Sequence, residues 1–374
     1  MNHAFKQAFA LVGIVALALL TITMLMNFER PPLETVQRGY RGTAMETNYN
    51  PRELKTYLAN NVVPVSLPNP GPSGPKAGAV YKNVQVLQNV SVGQFTRLMV
   101  SITQWVSPKQ GCGYCHNLAN MAEDSVYTKV VARRMIQMVQ HVNADWQPHV
   151  AAVGVTCYTC HRGNPVPNNV WFSNAGPSQF MGGAETNVGK NIASPQIGDS
   201  SLPYDPFTPM LENAADIRVQ GTEALPAGNL HSIKQTEWTY ALMMHFSQSL
   251  GVNCTYCHNS RSFGDWQQST PQRVTAWHGI QMVRDVNNTY LNSLQGVFPP
   301  ARLGHEGDVA KVNCTTCHQG VFKPLYGVSM AKDFPSLQGP TLAAANAPSQ
   351  APAPNTPAPE TTPTPAPAPE PAKP

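Results

Sequence analysis

Apolar positions along the chain form one unbroken run and then four stretches with helical periodicity. The run, residues 8–26, contains no charged side chain and is long enough to span a bilayer as a helix. Each later stretch has apolar residues three and four positions apart, which is typical of amphipathic helices. These stretches are residues 92–102, 126–142, 237–250 and 271–294. The pattern predicts a mainly α protein with one N-terminal transmembrane helix.

The segments between and around these stretches are rich in residues that interrupt regular structure. The chain contains 35 Pro residues, and charged residues make up only 12% of it, about half the usual share. Residues 29–90 are rich in Pro, Gly and Asn, and we expect them to wrap the core as extended chain. Residues 348–374 alternate Pro with Ala, Thr and Glu, which predicts a disordered or polyproline-like tail. The fold is therefore expected to be loop-rich.

All eight cysteines belong to four copies of one motif, CxxCH. In each copy the two thiols have the spacing that lets them add to the two vinyl groups of one haem, and the adjacent His places a ring nitrogen on the iron. The motifs are Cys112, Cys115 and His116; Cys157, Cys160 and His161; Cys254, Cys257 and His258; and Cys314, Cys317 and His318. They predict four covalently bound haem c groups, each with a His as one axial ligand.

A single CxxCH motif is also compatible with a redox dithiol or with half of a zinc site. Zinc usually requires a second CxxC or His pair for each site, and a disulfide framework would not place a His after every second Cys. Four copies that use every cysteine favour haem over these alternatives.

Covalent haem implies export, because haem is attached on the oxidising, outer side of the membrane. Residues 8–26 then have two interpretations, a retained anchor or a cleaved signal peptide. The run exceeds an ordinary signal-peptide core, and no clear A-x-A cleavage site follows it before residues 29–30. No cysteine near its end is available for lipid modification. We therefore expect residues 1–28 to form a retained anchor, with the N-terminus inside and the haem domain outside.

The sequence contains an internal duplication. Met99 and Met243 are 144 positions apart, and so are Met138 and Met282, whereas Cys157 and Cys314 are 157 apart. The second half thus has 13 extra residues before its last motif, within a stretch that includes the loop at residues 297–308. We expect helix-turn-CxxCH units related by a pseudo-twofold axis. After residue 90 we expect a first haem pair at residues 91–170 and a connecting segment at residues 171–235. A second haem pair at residues 236–327 and a C-terminal segment at residues 328–374 are expected to follow.

The sixth ligand of each iron decides between electron transfer and catalysis, because an open position would permit chemistry on a small molecule. Met99 lies on the predicted helix before the first motif, and Met243 lies before the third. Met244 and His245 are neighbouring rivals for the third haem. The repeat favours Met243, since it aligns with Met99.

The spacing of residues does less to identify the sixth ligands of the second and fourth haems. Met135 and Met138 lie one turn apart on the helix before the second motif, and Met135 aligns with Gly279 in the second half. If Met135 binds the second haem, the fourth requires an imidazole or remains open. His149 and His305 are the candidates. The remaining histidines are expected to be ordinary loop or surface residues; they are His3, His141, His231 and His278.

The formal net charge of +4 does not indicate nucleic-acid binding. Each haem carries two propionates and adds about −1 when ferric and about −2 when ferrous, so the holoprotein has a charge between about 0 and about −4.

These features together resemble the tetrahaem cytochrome c subunit of the purple-bacterial photosynthetic reaction centre. The resemblance covers about residues 92–326 and rests on the four motifs, the duplicated helices, the missing Met before the fourth haem and the Gln-Pro-His-Val segment. It implies His/Met ligation for the first three haems and bis-His ligation for the fourth. The implied sixth ligands are, in motif order, Met99, Met135, Met243 and His149.

The resemblance also implies a function. Electrons from a soluble periplasmic carrier, such as a small cytochrome c or a high-potential iron-sulfur protein, re-reduce the photo-oxidised bacteriochlorophyll pair. The third haem is implied to lie nearest the pair, followed by the fourth, second and first. Implied partners are reaction-centre subunits of the L, M and H type and the light-harvesting antenna, in the inner membrane with the haem domain on the periplasmic side. The chain lacks the lipid-modified Cys of some members. A multihaem reductase with an open iron and an electron relay of a respiratory complex are the alternatives.

Overall fold

A computed structural model describes residues 3–26, 34–38, 45–174, 202–219 and 233–339. The predicted Pro-rich tail at residues 348–374 and most of the connecting segment at residues 171–235 lie outside the described residues.

The N-terminal helix α1 spans His3–Met26 and is long and apolar enough to cross a membrane. Its 24 residues rise about 36 Å at about 1.5 Å per residue, which matches the thickness of a bilayer. None of its side chains is buried against the rest of the protein. The hydroxyls of Thr21 and Thr23 donate to the carbonyls of Leu17 and Leu19 at 2.8 Å, so these two polar side chains are satisfied within the helix. The predicted apolar N-terminal helix is confirmed.

The segment after α1 contains more regular structure than the expected extended chain. Strand β1, Glu34–Arg38, pairs antiparallel with β2, Met45–Tyr49, and helices α2, Pro51–Asn60, and α3, Ala77–Val80, follow. Helix α2 begins where the side chain of Asn50 accepts a hydrogen bond from the backbone of Arg52, and Pro51 occupies its first position. Both features favour a helix start, and they act locally although the surrounding composition is typical of loops.

Four long helices cover the four stretches of helical periodicity. They are α4, Val92–Val106; α5, Tyr127–Asp145; α8, Ile233–Leu250; and α9, Pro271–Asp285. Helix α9 continues through a wide turn, Val286–Leu291, and a tight turn, Asn292–Leu294, so the helical path ends where the pattern predicted.

The remaining elements are single turns separated by loops. Three are short α-helices: α6, Gln147–Val150; α7, Cys157–His161; and α10, Cys314–His318. The others are tight or wide helical turns at Gly111–Tyr114, Ala151–Val153, Thr208–Glu212, Cys254–Tyr256, Pro300–Arg302, Pro324–Gly327, Ala331–Asp333 and Pro335–Leu337. The described chain is mainly helical and loop-rich, as predicted.

The apolar core is divided into three clusters. The first surrounds α4, with Leu98 and Trp105 against Phe334, and the second surrounds α8, with Leu242 against Phe207. The third joins α5 to the turn after α9 and includes Met135, Met138 and Met282; its buried members are Val142, Val286, Leu291 and Val309. Each fully buried side chain such as Leu98 contributes about 1.5–3 kcal/mol relative to exposure.

Two buried asparagines fix the chain just before the second and fourth motifs. Asn143 on α5 donates to the carbonyl of Val155 at 2.9 Å and accepts from its backbone N–H at 2.7 Å. Asn287, after α9, makes the same pair of bonds with Val312, at 3.1 and 2.9 Å. Each contact lies two residues before a Cys of the motif, so it sets the position at which α7 or α10 begins.

Candidate haem-binding centre

The four CxxCH motifs adopt two local conformations. The first and third form tight turns in which the backbone N–H of His116 and of His258 bonds to the carbonyl of the first Cys, at 3.0 and 2.9 Å. The second and fourth are the single-turn helices α7 and α10. Residues three apart lie on one face of a helical turn, so each motif presents both sulfur atoms on the same side.

The second and fourth motifs begin and end alike. A capping box at Thr156 and another at Asn313 satisfy the first backbone N–H groups. Arg162 and Gln319 end the helices in the left-handed conformation, with φ of 49° and 47°. This change of direction turns the chain away immediately after each His.

All four motif histidines are held by the same kind of hydrogen bond. Each Nδ1 donates to a backbone carbonyl, namely His116 to Met121 at 3.1 Å, His161 to Asn164 at 2.9 Å, His258 to Phe263 at 2.9 Å and His318 to Val321 at 3.0 Å. The bond fixes the tautomer and leaves the Nε2 lone pair for a metal. Burial lowers the pKa of His161 and His258, and that of His318 to about 4, which keeps these rings neutral.

The structure brings His149 of α6 opposite His318 of α10. Their ring centroids are 6.1 Å apart, and the ring planes are inclined by 66°. The Nδ1 of His149 donates to the carbonyl of Thr275 at 2.9 Å, so its Nε2 is also available. Two metal–nitrogen bonds of about 2 Å and two ring radii of about 1 Å would separate the centroids of opposed imidazoles by about 6 Å. The pair therefore fits a haem iron between the two rings.

Gly279 on α9 provides the space for His149. A Cβ at this position would lie 2.6 Å from Cε1 and 2.8 Å from Nδ1 of the His149 ring. The sequence repeat aligns Gly279 with Met135, so the ring occupies the place of a side chain on α9. His305, the other candidate, has a side chain that is 97% exposed and lies 3.2 Å from Glu306.

The candidate methionine ligands lie on the three predicted helices. Met99 on α4, Met243 on α8 and Met135 on α5 are half-buried, and each packs against a different core cluster. His245 is two positions beyond Met243, which places it on nearly the opposite face of α8. It is buried, its Nε2 is 3.1 Å from the hydroxyl of Ser249, and burial lowers its pKa to about 3.

The second and fourth motifs also meet through their second cysteines. The sulfur atoms of Cys160 and Cys317 are 2.7 Å apart. Burial raises the pKa of Cys157 and Cys314 to about 12, whereas the hydrogen bond with Cys160 lowers the pKa of Cys317. The first thiol of the second and of the fourth motif therefore lacks the lowered pKa that is typical of a redox dithiol. Within the described ranges, no three His, Cys, Asp or Glu side chains converge to hold a metal ion.

Sequence reasoning missed the role of His141, which we expected to be a loop or surface residue. It lies on α5 between two carboxylates, with Nδ1 2.7 Å from Asp145 and Nε2 2.6 Å from Asp285. The hydrogen bond to Asp285 is the main reason that the pKa of His141 is raised. No local signal could have indicated this contact, because Asp285 is 144 residues away.

Comparison with known proteins adds a family match. Residues 29–338 match the model of a family described as the photosynthetic reaction centre cytochrome C subunit. The photosynthetic reaction center cytochrome c subunit of Rubrivivax gelatinosus is 52% identical over 90% of this chain and 92% of its own length. That of Thermochromatium tepidum is 52% identical, covering 86% and 79%, and that of Roseobacter denitrificans is 39% identical, covering 87% and 92%.

Proposed function

This chain belongs to the family of photosynthetic reaction centre cytochrome c subunits, and on that premise we propose that it is the membrane-bound tetrahaem electron donor of a photosynthetic reaction centre. Electrons from a soluble periplasmic carrier pass along its haems and re-reduce the photo-oxidised bacteriochlorophyll pair. It is an electron-transfer protein rather than an enzyme. When bound, each haem supplies a one-electron couple, and the protein supplies attachment, ligands and exclusion of water.

The proposal includes a complete ligand set. The four haems would be attached through the eight cysteines, and the residues that would hold each iron are His116 with Met99, His161 with Met135, His258 with Met243, and His318 with His149. The single observation that carries the proposal is the 6.1 Å separation of the His149 and His318 rings, which concerns the fourth pair. Each of these rings bonds a backbone carbonyl through Nδ1, so it can offer Nε2 to the iron. This arrangement supports a fourth iron that is closed on both faces. A closed iron disfavours a reductase, because no position remains for a substrate.

The ligands would give the haems different potentials. A thioether raises the potential of a haem iron, whereas a second imidazole gives a lower one. The hydrogen bonds on each Nδ1 hold the rings in place and increase their basicity as ligands. The chain would therefore contain three higher-potential haems and one lower-potential haem.

We further propose that the halves are related by a pseudo-twofold axis. In support of this, residues at matching repeat positions contact each other: His141 with Asp285, and Cys160 with Cys317. Equivalent residues meet in this way only close to a twofold axis. The axis then passes between the second and fourth haems, which become neighbours at the centre. This agrees with the order third, fourth, second and first that the family resemblance implies.

Helix α1 is proposed to anchor the chain in the inner membrane, with the haem domain on the periplasmic side, where haem is attached. The partners would be reaction-centre subunits of the L, M and H type, the light-harvesting antenna, and a small cytochrome c or high-potential iron-sulfur protein. Docking of the soluble donor should be electrostatically guided and therefore sensitive to salt.

Flash excitation of native membranes tests the proposal. We expect the haem absorbance to show oxidation immediately after the flash. The rate of haem oxidation should equal the rate at which the bacteriochlorophyll pair is re-reduced. Membranes that lack this chain are the control, and in them the pair should remain oxidised longer. Unchanged re-reduction in the control would contradict the proposed function. It would favour an electron relay to a respiratory complex.

A further inference from the structure

Arg162, directly after His161, joins the second motif to the fourth. Its Nε donates to the carbonyl of Thr159 at 3.0 Å, and its Nη2 donates to the carbonyl of Cys317 at 3.2 Å. The other contacts tie it to the end of α2, with Nη1 bonded to the carbonyl of Asn60 at 2.6 Å and Nη2 to Oδ1 of Asn61 at 3.3 Å. One guanidinium therefore contacts both central haem-attachment segments.

No Asp or Glu side chain among the described residues pairs with Arg162. All four acceptors are neutral carbonyl or amide oxygens, and none of the ion pairs in the described part of the chain includes Arg162. A guanidinium remains protonated at any physiological pH. A permanent positive charge thus lies beside the place where the sulfur atoms of Cys160 and Cys317 are 2.7 Å apart.

The matching position in the other half has no charge. Gln319 aligns with Arg162, has the same left-handed backbone, and is 3% exposed. Its Nε2 donates to the carbonyl of Thr316 at 3.4 Å, which is the bond equivalent to that from Arg162 to Thr159. The bond to residue 159 or 316 therefore needs only a side-chain N–H donor at this position, and it does not require the charge of Arg162.

We propose that Arg162 is a potential-setting residue shared by the second and fourth haems. A nearby positive charge stabilises the ferrous state relative to the ferric state, because the ferrous haem carries one positive charge less. The effect is strong where burial keeps the effective dielectric constant low. Arg162 would thus raise the midpoint potential of both central haems above the values that their axial ligands alone would give. This inference rests on the proposed function and adds an electrostatic component to it.

A redox titration of the full-length, four-haem protein tests the proposal, with each haem followed by its own absorbance band. In Arg162→Gln we expect the equilibrium constant for reduction of two haems to fall about tenfold, which is about 59 mV for a one-electron couple. The other two haems should not change. Arg162→Lys keeps the charge but not the hydrogen-bond geometry, so it should retain most of the potential. Arg52→Gln, an exposed charge on α2, is the control and should leave all four potentials unchanged.

A purely structural role for Arg162 predicts a different result. In that case Arg162→Gln and Arg162→Lys would lower stability equally and leave all potentials unchanged, which would overturn the proposal. If Arg162→Gln does not assemble with four haems, Gln319→Arg places a second charge at the matching position. It should raise the potentials of the same two haems, and no rise would also overturn the proposal. The flash experiment on the unaltered protein is independent of these variants, so failure of the proposed function would be recognised separately.

Discussion

At the scale of residues, the absence of a side chain at Gly279 leaves the space that the imidazole ring of His149 occupies. The ring of His149 lies where a Cβ on residue 279 would stand, at 2.6 Å. A substitution of the glycine would therefore act on the proposed ligand of the fourth haem while leaving residue 149 itself unchanged.

We predict that Gly279→Ala displaces His149 and opens the fourth iron. The extra methyl group overlaps the ring and should also destabilise the protein by about 1–3 kcal/mol. The measurement is carbon monoxide binding to the reduced protein, which should appear in the variant and not in the unaltered protein. Gly296→Ala is the matched control, since a Cβ at residue 296 meets nothing within 4 Å. Equal behaviour of the two variants would argue against the proposed site.

We predict that His149→Met raises the potential of one haem and creates no carbon monoxide site. Exchange of an imidazole for a thioether keeps the iron six-coordinate and should raise its potential by about 100 mV or more, within the span of about 0.8 V that axial ligands control. The measurement is a redox titration that resolves four components. His305→Met should have no effect, because the side chain of His305 is 97% exposed. The opposite result would identify His305 as the ligand.

At the scale of elements, local signals predicted the helices and tertiary contacts decided the rest. The periodicity at residues 92–102 and 271–294 depends on neighbours three and four positions away, and α4 and α9 lie there. His149 lies opposite His318 because of how the chain after α5 returns to α9, and the spacing of residues in the sequence does not encode that contact. The strands β1 and β2 were missed because their segment has the composition of a loop.

The contact between α5 and the end of α9 should depend on pH. The pKa of His141 is raised above its ordinary value of 6.5, chiefly by the hydrogen bond to Asp285. Burial raises the pKa of Asp285, but hydrogen bonds from His141, Thr289 and Trp146 outweigh this and bring it below 3.8. The stabilisation from His141 is then fully present below about pH 6.5 and is lost as the pH rises through its folded pKa, whereas that from Asp285 is lost only in acid.

We predict that His141→Gln costs about 1–2 kcal/mol of unfolding free energy at pH 6, as expected for a hydrogen bond to a charged group. The cost should shrink towards pH 9, because the imidazole of the unaltered protein loses its proton as the pH rises through its raised pKa. Denaturant unfolding of the holoprotein, followed by circular dichroism at both pH values, measures it. A difference that is independent of pH would mean that His141 is not charged in the fold.

At the scale of the whole molecule, α1 should be the element that keeps the haem domain on the membrane. Its 24 residues are not buried by the rest of the described chain. We predict that replacing residues 1–28 with a cleavable signal peptide releases a soluble periplasmic protein that retains four haems. Washing membranes at high pH and assaying haem in the pellet and supernatant is the measurement. An intact mass that lacks residues 1–28 in the native protein would instead indicate a cleaved signal peptide.

The contact between His141 and Asp285 carries a consequence for the origin of the fold. If two-haem units once associated as identical copies, the residue at this position would have faced itself across the axis, and two histidinium or two carboxylate groups there would repel. Gene fusion removes that constraint, because each half can then change alone. Under the proposed pseudo-twofold symmetry, an imidazolium that faces a carboxylate at the axis is an arrangement that a homodimer of identical units cannot have, and it would date from after the halves became one polypeptide.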